Sequence, residues 1–243
     1  MNYDLAIGLQ AVDNLIPSKY FLDLVNKDYT TSEMITLLKD YHNEINDLYI
    51  CDIVSVRIVE LLDENSFEFN YNYLKYIHSY IFQDVYDFCG NFRKVNISKS
   101  EPILGGDTVA YGEASKLELA LQYDFELEKT KDYKSMNNKK VINNVIDFTS
   151  RIWQDHPFIE GNTRTIAIFI IKYLESLGFK LNYIPFVGSS DYFRNALVRS
   201  NYYNRYMNID CENKYLIYFF ENLILNKDND LQNSELVIEE LLD

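Results

Sequence analysis

The chain is short of several things, and each shortage narrows what it can be. Its three cysteines (Cys51, Cys89 and Cys211) are widely spaced and odd in number. Neither a Cys-x-x-Cys pair nor a Cys/His cluster occurs, which argues against a disulfide framework or a zinc site. Basic charge is scarce too: 23 Lys and Arg stand against 37 Asp and Glu, for a net charge of −14. A nucleic-acid binder needs a basic footprint, so no nucleic-acid partner is expected. Polybasic attachment to an anionic membrane is disfavoured for the same reason. No apolar run reaches the roughly 18 residues that span a bilayer, and Met1 to Gln10 lacks the basic-then-apolar order of a signal peptide. The expectation is a cytoplasmic chain without a membrane partner. Eight Gly and four Pro are few for a sheet-rich fold full of tight turns, which favours helices.

What is present is an ordinary globular balance, 47% hydrophobic and 25% charged, in a chain of 243 residues that can bury a full core. The 21 Tyr and 15 Phe read as helix-packing material, tyrosine keeping a polar edge for water. Against an acidic background, any site for a phosphorylated ligand must be made locally positive by individual Arg and Lys residues.

Helical periodicity dominates. It predicts helices over 32–50, 50–62, 71–85, 113–128, 140–154, 165–177, 191–203 and 214–226, with Gly178 placed to end one of them. Between 93 and 111 the pattern changes. Val95 and Ile97 alternate with polar neighbours, and Ile103-Leu104 and Thr108-Val109 flank Gly105-Gly106-Asp107, which predicts a β-hairpin. Lys227 to Asn233 reads as a polar linker and Ser234 to Leu242 as a short amphipathic helix. The expected organisation is an N-terminal helical extension over 1–65, a core domain over 66–226 and a tail over 227–243.

The densest chemistry lies in His156-Pro-Phe-Ile-Glu160-Gly161-Asn162-Thr163-Arg164, a polar loop running into an apolar helix. A Gly/Asn turn at a helix start presents unpaired N–H groups that, with the helix dipole, form an anion cradle. Arg164 can add a bidentate phosphate contact. Glu160 is a hard oxygen ligand suited to Mg²⁺ bridging a carboxylate and phosphates. His156 can take a proton from an attacking hydroxyl. Each residue alone has an ordinary explanation: a capping His, a helix-start turn, a solvated Arg. Together within nine residues they form the inventory of phosphoryl or nucleotidyl transfer.

This segment resembles the signature of the Fic family, His-x-Phe-x-(Asp/Glu)-Gly-Asn-x-Arg. Leu74 to Ser98, Phe148 to Phe179 and Tyr192 to Tyr202 are similar to further family blocks in the same order, so the resemblance covers roughly residues 70–225. It implies a mostly α fold, a Fic-type helical bundle with a short β-hairpin flap beside the active-site loop. It further implies transfer of AMP from ATP to a Tyr, Thr or Ser hydroxyl of a target protein, or of the chain itself. In that scheme His156 is the general base and Glu160 holds Mg²⁺. Gly161, Asn162 and Thr163 cradle the phosphates, Arg164 binds them, and Phe158 lies buried beneath the loop. Asn201 and Tyr192 face the adenine, and the flap registers an extended target segment by strand addition.

Two departures stand out. Thr163 replaces the usual Gly, and Ala167 the usual second Arg. They support an alternative, a Fic-fold nucleotide- or protein-binding module with impaired catalysis; another phosphate-linked donor is a further one. No Ser or Thr is followed by Glu four positions later, so the family's usual inhibitory motif is missing. Leu9 to Ser18 is loosely similar to the family's small antitoxin-like segment, with Asp13-Asn14 where Glu-Gly would stand.

Overall fold

The structure, a computed structural model, describes residues 3–242. It is mostly helical: α1 (Tyr3–Gln10), α2 (Lys19–Leu24), α3 (Thr31–Tyr41), α4 (Asp47–Asp63), α5 (Tyr71–Phe82), α6 (Leu117–Lys129), α7 (Asn138–Asp155), α8 (Asn162–Ser176), α9 (Ile184–Gly188), α10 (Ser190–Asn201) and α11 (Lys214–Leu225). Polar residues write the starts. Ser18, Asn46, Asn70 and Asn137 each accept from a backbone N–H in the first turn that follows, and Thr30 with Glu33 closes a capping box. Left-handed residues write the stops, with Gly178 at φ 89° beyond α8 and Asn226 at φ 53° beyond α11.

The helix expected over 32–50 is interrupted. It ends at Tyr41, and α4 restarts at Asp47 because the Asn46 side chain caps Tyr49 N.

α8 is the axis of the bundle. Every residue from Asn162 to Leu174 is buried, as an apolar helix with neighbours on all sides must be. Phe169 packs against Phe67, Phe125 and Phe148, which accounts for part of the aromatic excess. Lys172 is buried but satisfied, donating to the carbonyls of Leu61 and Glu64 at 2.8 Å each, where α4 ends. A second, smaller core lies between α2, α3 and the outer face of α4, with Phe21, Leu38 and Ile53 at its centre. α1 belongs to the main core instead, through Leu5, Ala6 and Leu9.

The expected hairpin does not form. Among the described residues no strand is present, only an isolated bridge between Asn204 and Ile209. Residues 93–111 run as an irregular segment reversed by a tight turn at Pro102–Leu104, with Gly105 left-handed. Two main-chain bonds, Glu101 N to Asp107 O at 2.9 Å and Gly106 N to Glu101 O at 3.0 Å, link its two arms. The physical reason is that Ile103, Leu104 and Val109 are buried in the main core. They anchor the segment by burial rather than by a ladder.

The expected C-terminal helix likewise reduces to short 3-10 turns at Asn233–Leu236 and Glu239–Leu241. Leu236 and Ile238 sink into the core, and Ile238 N donates to Ile103 O at 3.0 Å. The polar stretch before them is docked as well, with Asn222 and Asn229 exchanging hydrogen bonds.

Candidate active site

The loop between α7 and α8 is held from three sides. α7 ends when His156 turns left-handed, at φ 47°. That conformation is uncommon for a residue with a side chain and requires outside support. Arg93 supplies it from the irregular segment. Its guanidinium donates to the carbonyl of His156 at 2.8 Å, to those of Val95 and Asp155, and to that of Gly112. Its own N–H donates to Pro157 O at 2.8 Å.

From below, Phe158 is fully buried and stacks on His78 with ring centroids 3.9 Å apart. Gly90 N donates to His78 Nδ1 at 2.9 Å, so Nε2 carries the proton and donates to Glu160 O at 3.0 Å. Burial holds the His78 pKa down at about 4, which keeps this tautomer neutral. From within, Asn162 Oδ1 accepts from Phe158 N and its Nδ2 donates to Phe158 O, both at 2.8 Å, closing the loop on itself. Gly161 is required twice over: its φ is 77°, and a Cβ there would lie 2.3 Å from the Phe82 ring.

His156 is buried, and its Nε2 has no hydrogen-bond partner. The Tyr111 ring covers it, with centroids 4.2 Å apart. Burial first, then the nearby Lys99 charge, pushes its pKa well below the usual histidine value. It is therefore neutral at pH 7, as a proton acceptor must be. Its neighbour Asp155 moves the opposite way, up to about 7, through burial and then the Asp124 charge.

Glu160 and Arg164 open onto the same cavity, of about 610 Å³. Glu160 Oε2 receives Lys99 Nζ at 2.8 Å, its side chain half exposed. Arg164 is buried: Nη1 donates to Gln10 Oε1 at 2.9 Å, Nε lies 2.8 Å from Asp13 Oδ2, and its guanidinium sits over the Phe82 ring. The Asp13 contact is one of charge, without hydrogen-bond alignment.

Of the residues expected from sequence, His156, Glu160, Gly161, Asn162, Thr163 and Arg164 are brought together. The side chains of Asn162 and Thr163 face inward, Thr163 Oγ1 accepting from Trp153 Nε1 at 3.0 Å. Only their main-chain N–H groups are left for an anion; in this turn the first N–H with an intrahelical acceptor is that of Thr165. Asn201 and Tyr192 are not brought to the cavity. Asn201 is buried and bonded to Leu197 O and Ser150 Oγ, and Tyr192 is core packing. The residues of α10 that line the cavity are Asp191, Arg194 and Asn195. That polar i, i+3, i+4 stripe on an otherwise buried helix was a signal available in the sequence. Lys99 and Tyr86 also line the cavity and had no such signal; Asp13 lines it too, from the segment loosely similar to the antitoxin-like one.

The donor set also bears on a metal. Among the described residues no group of three or more His, Cys, Asp or Glu could hold one. Glu160 beside the anion cradle, with Asp13, Asp47 and Asp191 also on the cavity wall, fits Mg²⁺ that arrives with substrate phosphates, which usually keeps one or two protein carboxylates. Likewise, no described helix is long and apolar enough to cross a membrane.

Comparison with known proteins agrees with this geometry. Residues 68–174 match the sequence model of the Fic/DOC family. Among solved structures, the N-terminal Fic domain of an effector from Bartonella sp. AR 15-3 superposes with a TM-score of 0.59 at 18% identity, covering 84% of this chain and 86% of that one. The N-terminal Fic domain of Bep8 from Bartonella sp. 1-1C gives 0.56 at 16% identity, covering 82% and 88%. BepC from Bartonella tribocorum, solved with bound AMPPNP, gives 0.56 at 15% identity, covering 77% and 86%. No curated protein sequence matches the chain.

Proposed function

We propose that this chain, which belongs to the Fic/DOC family, is a cytoplasmic protein adenylyltransferase that moves AMP from ATP to a hydroxyl of a target protein. One observation carries the reading: a neutral, buried histidine with an unpartnered Nε2 stands at one end of a loop whose other end presents Glu160 and Arg164 to a cavity. The size of that cavity, about 610 Å³, suits a nucleotide. The AMPPNP held by the structural relative BepC supports a nucleoside triphosphate as donor.

In the proposed reaction the target hydroxyl oxygen attacks the α-phosphorus of ATP. The bond from that phosphorus to the bridging oxygen breaks, and pyrophosphate leaves. The hydroxyl proton passes to His156 Nε2. The N–H groups of Asn162, Thr163 and Arg164 at the start of α8, with the Arg164 guanidinium, bind the phosphates. Mg²⁺, held by Glu160, would neutralise charge on them. Acceleration comes from positioning and electrostatics. The target backbone docks along residues 94–98, which are largely exposed and lead from Arg93 to Lys99 past the loop.

The test is intact-mass analysis after incubation with ATP and Mg²⁺, alone and with candidate targets, beside His156→Ala. A gain of about 329 Da, the mass of AMP less water, is expected with His156 present and absent from the variant. A gain of about 80 Da would indicate phosphate transfer instead. ATP binding without any adduct, across a broad set of protein acceptors, would favour a nucleotide-binding module over an enzyme. Thr163 and Ala167 are the residues that motivate that second reading; Ala167 is fully buried in the core and offers no charge to the cavity.

A further inference from the structure

Three cationic side chains line the cavity: Lys99, Arg164 and Arg194. Each already has a carboxylate. Arg164 faces Asp13 at 2.8 Å, Lys99 faces Glu160 at 2.8 Å, and Arg194 faces Glu101 at 2.8 Å. A triphosphate entering this cavity must therefore win a cation from a resident anion, and the three differ sharply in how freely they can be released.

Arg194 is fixed. Its partner Glu101 is fully buried, with Oε1 also held by Tyr111 OH at 3.0 Å. Withdrawing the guanidinium would leave a buried charge uncompensated, which is strongly unfavourable. Arg164 is fixed in place differently, buried between the Phe82 ring and Gln10; it can exchange partners but cannot move far. Lys99 is the mobile one. Its partner Glu160 has a half-exposed side chain that water can solvate once the pair opens, and an ion pair of that kind contributes little. Lysine is also a compact charge on a flexible four-carbon stem, able to follow a phosphate that is not rigidly placed.

We propose that Lys99 is a nucleotide-binding residue whose ammonium transfers from Glu160 to the terminal phosphates of the donor, supplying a cation that α8, with Ala167 fully buried, does not supply. The exchange has a second consequence. Lys99 occupies Glu160, as a cation would, and its departure frees that carboxylate as the phosphates arrive. Glu160 is thus paired with the ammonium first, and would afterwards be free to hold a metal ion brought with the phosphates. Because Lys99 belongs to the irregular segment that also carries the expected target-docking residues, donor binding draws that segment toward the cavity.

This inference rests on the nucleotide reading above, and the experiment separates the two. ATP, ADP and AMP are titrated calorimetrically, with Mg²⁺, into the full chain and into Lys99→Met and Lys99→Arg. Lys99→Met is expected to weaken ATP about tenfold, the scale of one lost charge-assisted phosphate contact, while AMP changes less than about twofold. Lys99→Arg is expected to recover most of the ATP affinity. Equal losses for AMP and ATP, or no loss for either, would overturn the assignment while leaving the nucleotide site standing. If the unmodified chain binds none of the three, the nucleotide reading falls and Lys99's role falls with it. Unchanged thermal stability in Lys99→Met, expected for a pair with a solvated partner, guards against a folding artefact.

Discussion

At the scale of single residues, the site is built from groups whose ionisation is set by burial. His78 and His156 are both neutral, but for different ends. His78 has both ring nitrogens engaged and serves as a strut under Glu160. His156 has a free Nε2 and is available for chemistry. Asp155, next in the chain, is an acid that the fold holds out of its ordinary range, up to about 7. A carboxyl whose folded pKa lies above its unfolded value stabilises the fold only while protonated. That contribution is complete below about pH 4 and is lost as pH rises through 7. Asp155→Asn is therefore expected to stabilise the protein at pH 8 by on the order of 2 kcal/mol and to change little near pH 4. Thermal melts of both proteins across that range decide it; a gain that is the same at both ends would mean that Asp155 is ionised throughout.

At the scale of elements, the segment between α1 and α2 reaches furthest into the site. Gln10 ends α1 and Asp13 closes the 3-10 turn after it, and both lie on Arg164, the residue proposed to bind phosphates. The segment is pinned beyond that turn by Asp52 of α4. Asp52 takes the N–H and hydroxyl of Ser18 at 2.8 and 2.5 Å and His42 Nε2 at 2.9 Å. Asp13-Asn14 stands where the resemblance places the inhibitory Glu-Gly, and here the carboxylate meets the arginine at 164, position 167 being Ala. Replacing Asp13 by Asn removes the charge that competes with phosphate. ATP affinity measured by calorimetry should rise about three- to tenfold, with stability falling by about 3 kcal/mol because the buried Arg164 guanidinium loses the carboxylate that faces it. An unaltered affinity would show that the segment yields to nucleotide at no cost.

At the scale of the whole molecule, the C-terminal tail closes the structure over the irregular segment. Leu236 is fully buried, Ile238 bonds to Ile103, and a Cβ on Gly105 would lie 1.8 Å from the carbonyl oxygen of Leu241. Arg199 on α10 donates to Leu236 O at 3.2 Å, so tail, α10 and segment form one assembly at the cavity's edge. Leu236→Ala is expected to cost about 2–4 kcal/mol and to speed amide exchange in residues 101–107 more than in α8. Uniform acceleration across the chain would assign the tail a purely global role.

Much of this was legible along the chain because it depends on local rules. The stop at Gly178, the apolar run of α8 and the nine-residue loop with His156, Glu160 and Arg164 are all written in short-range pattern. So is the scarcity of Gly and Pro that favoured helices. The hairpin was misread because alternation in 93–111 marks which residues are apolar, not what they pack against; the core took Ile103, Leu104 and Val109 before a partner strand could. Tyr192 and Asn201 lie on the expected helix, but only packing decides which face of α10 meets the cavity, and it presents Asp191, Arg194 and Asn195. Sequence alone therefore determined which groups can do chemistry, since covalent identity and helix start suffice to place a base, a carboxylate and an anion cradle within a few residues. Tertiary structure decided what those groups now face: Arg93 on the loop, Tyr111 over His156, Lys99 on Glu160 and Asp13 on Arg164. Those pairings join residues from about 45 to 150 positions apart, and only burial in a common core brings them within bonding distance.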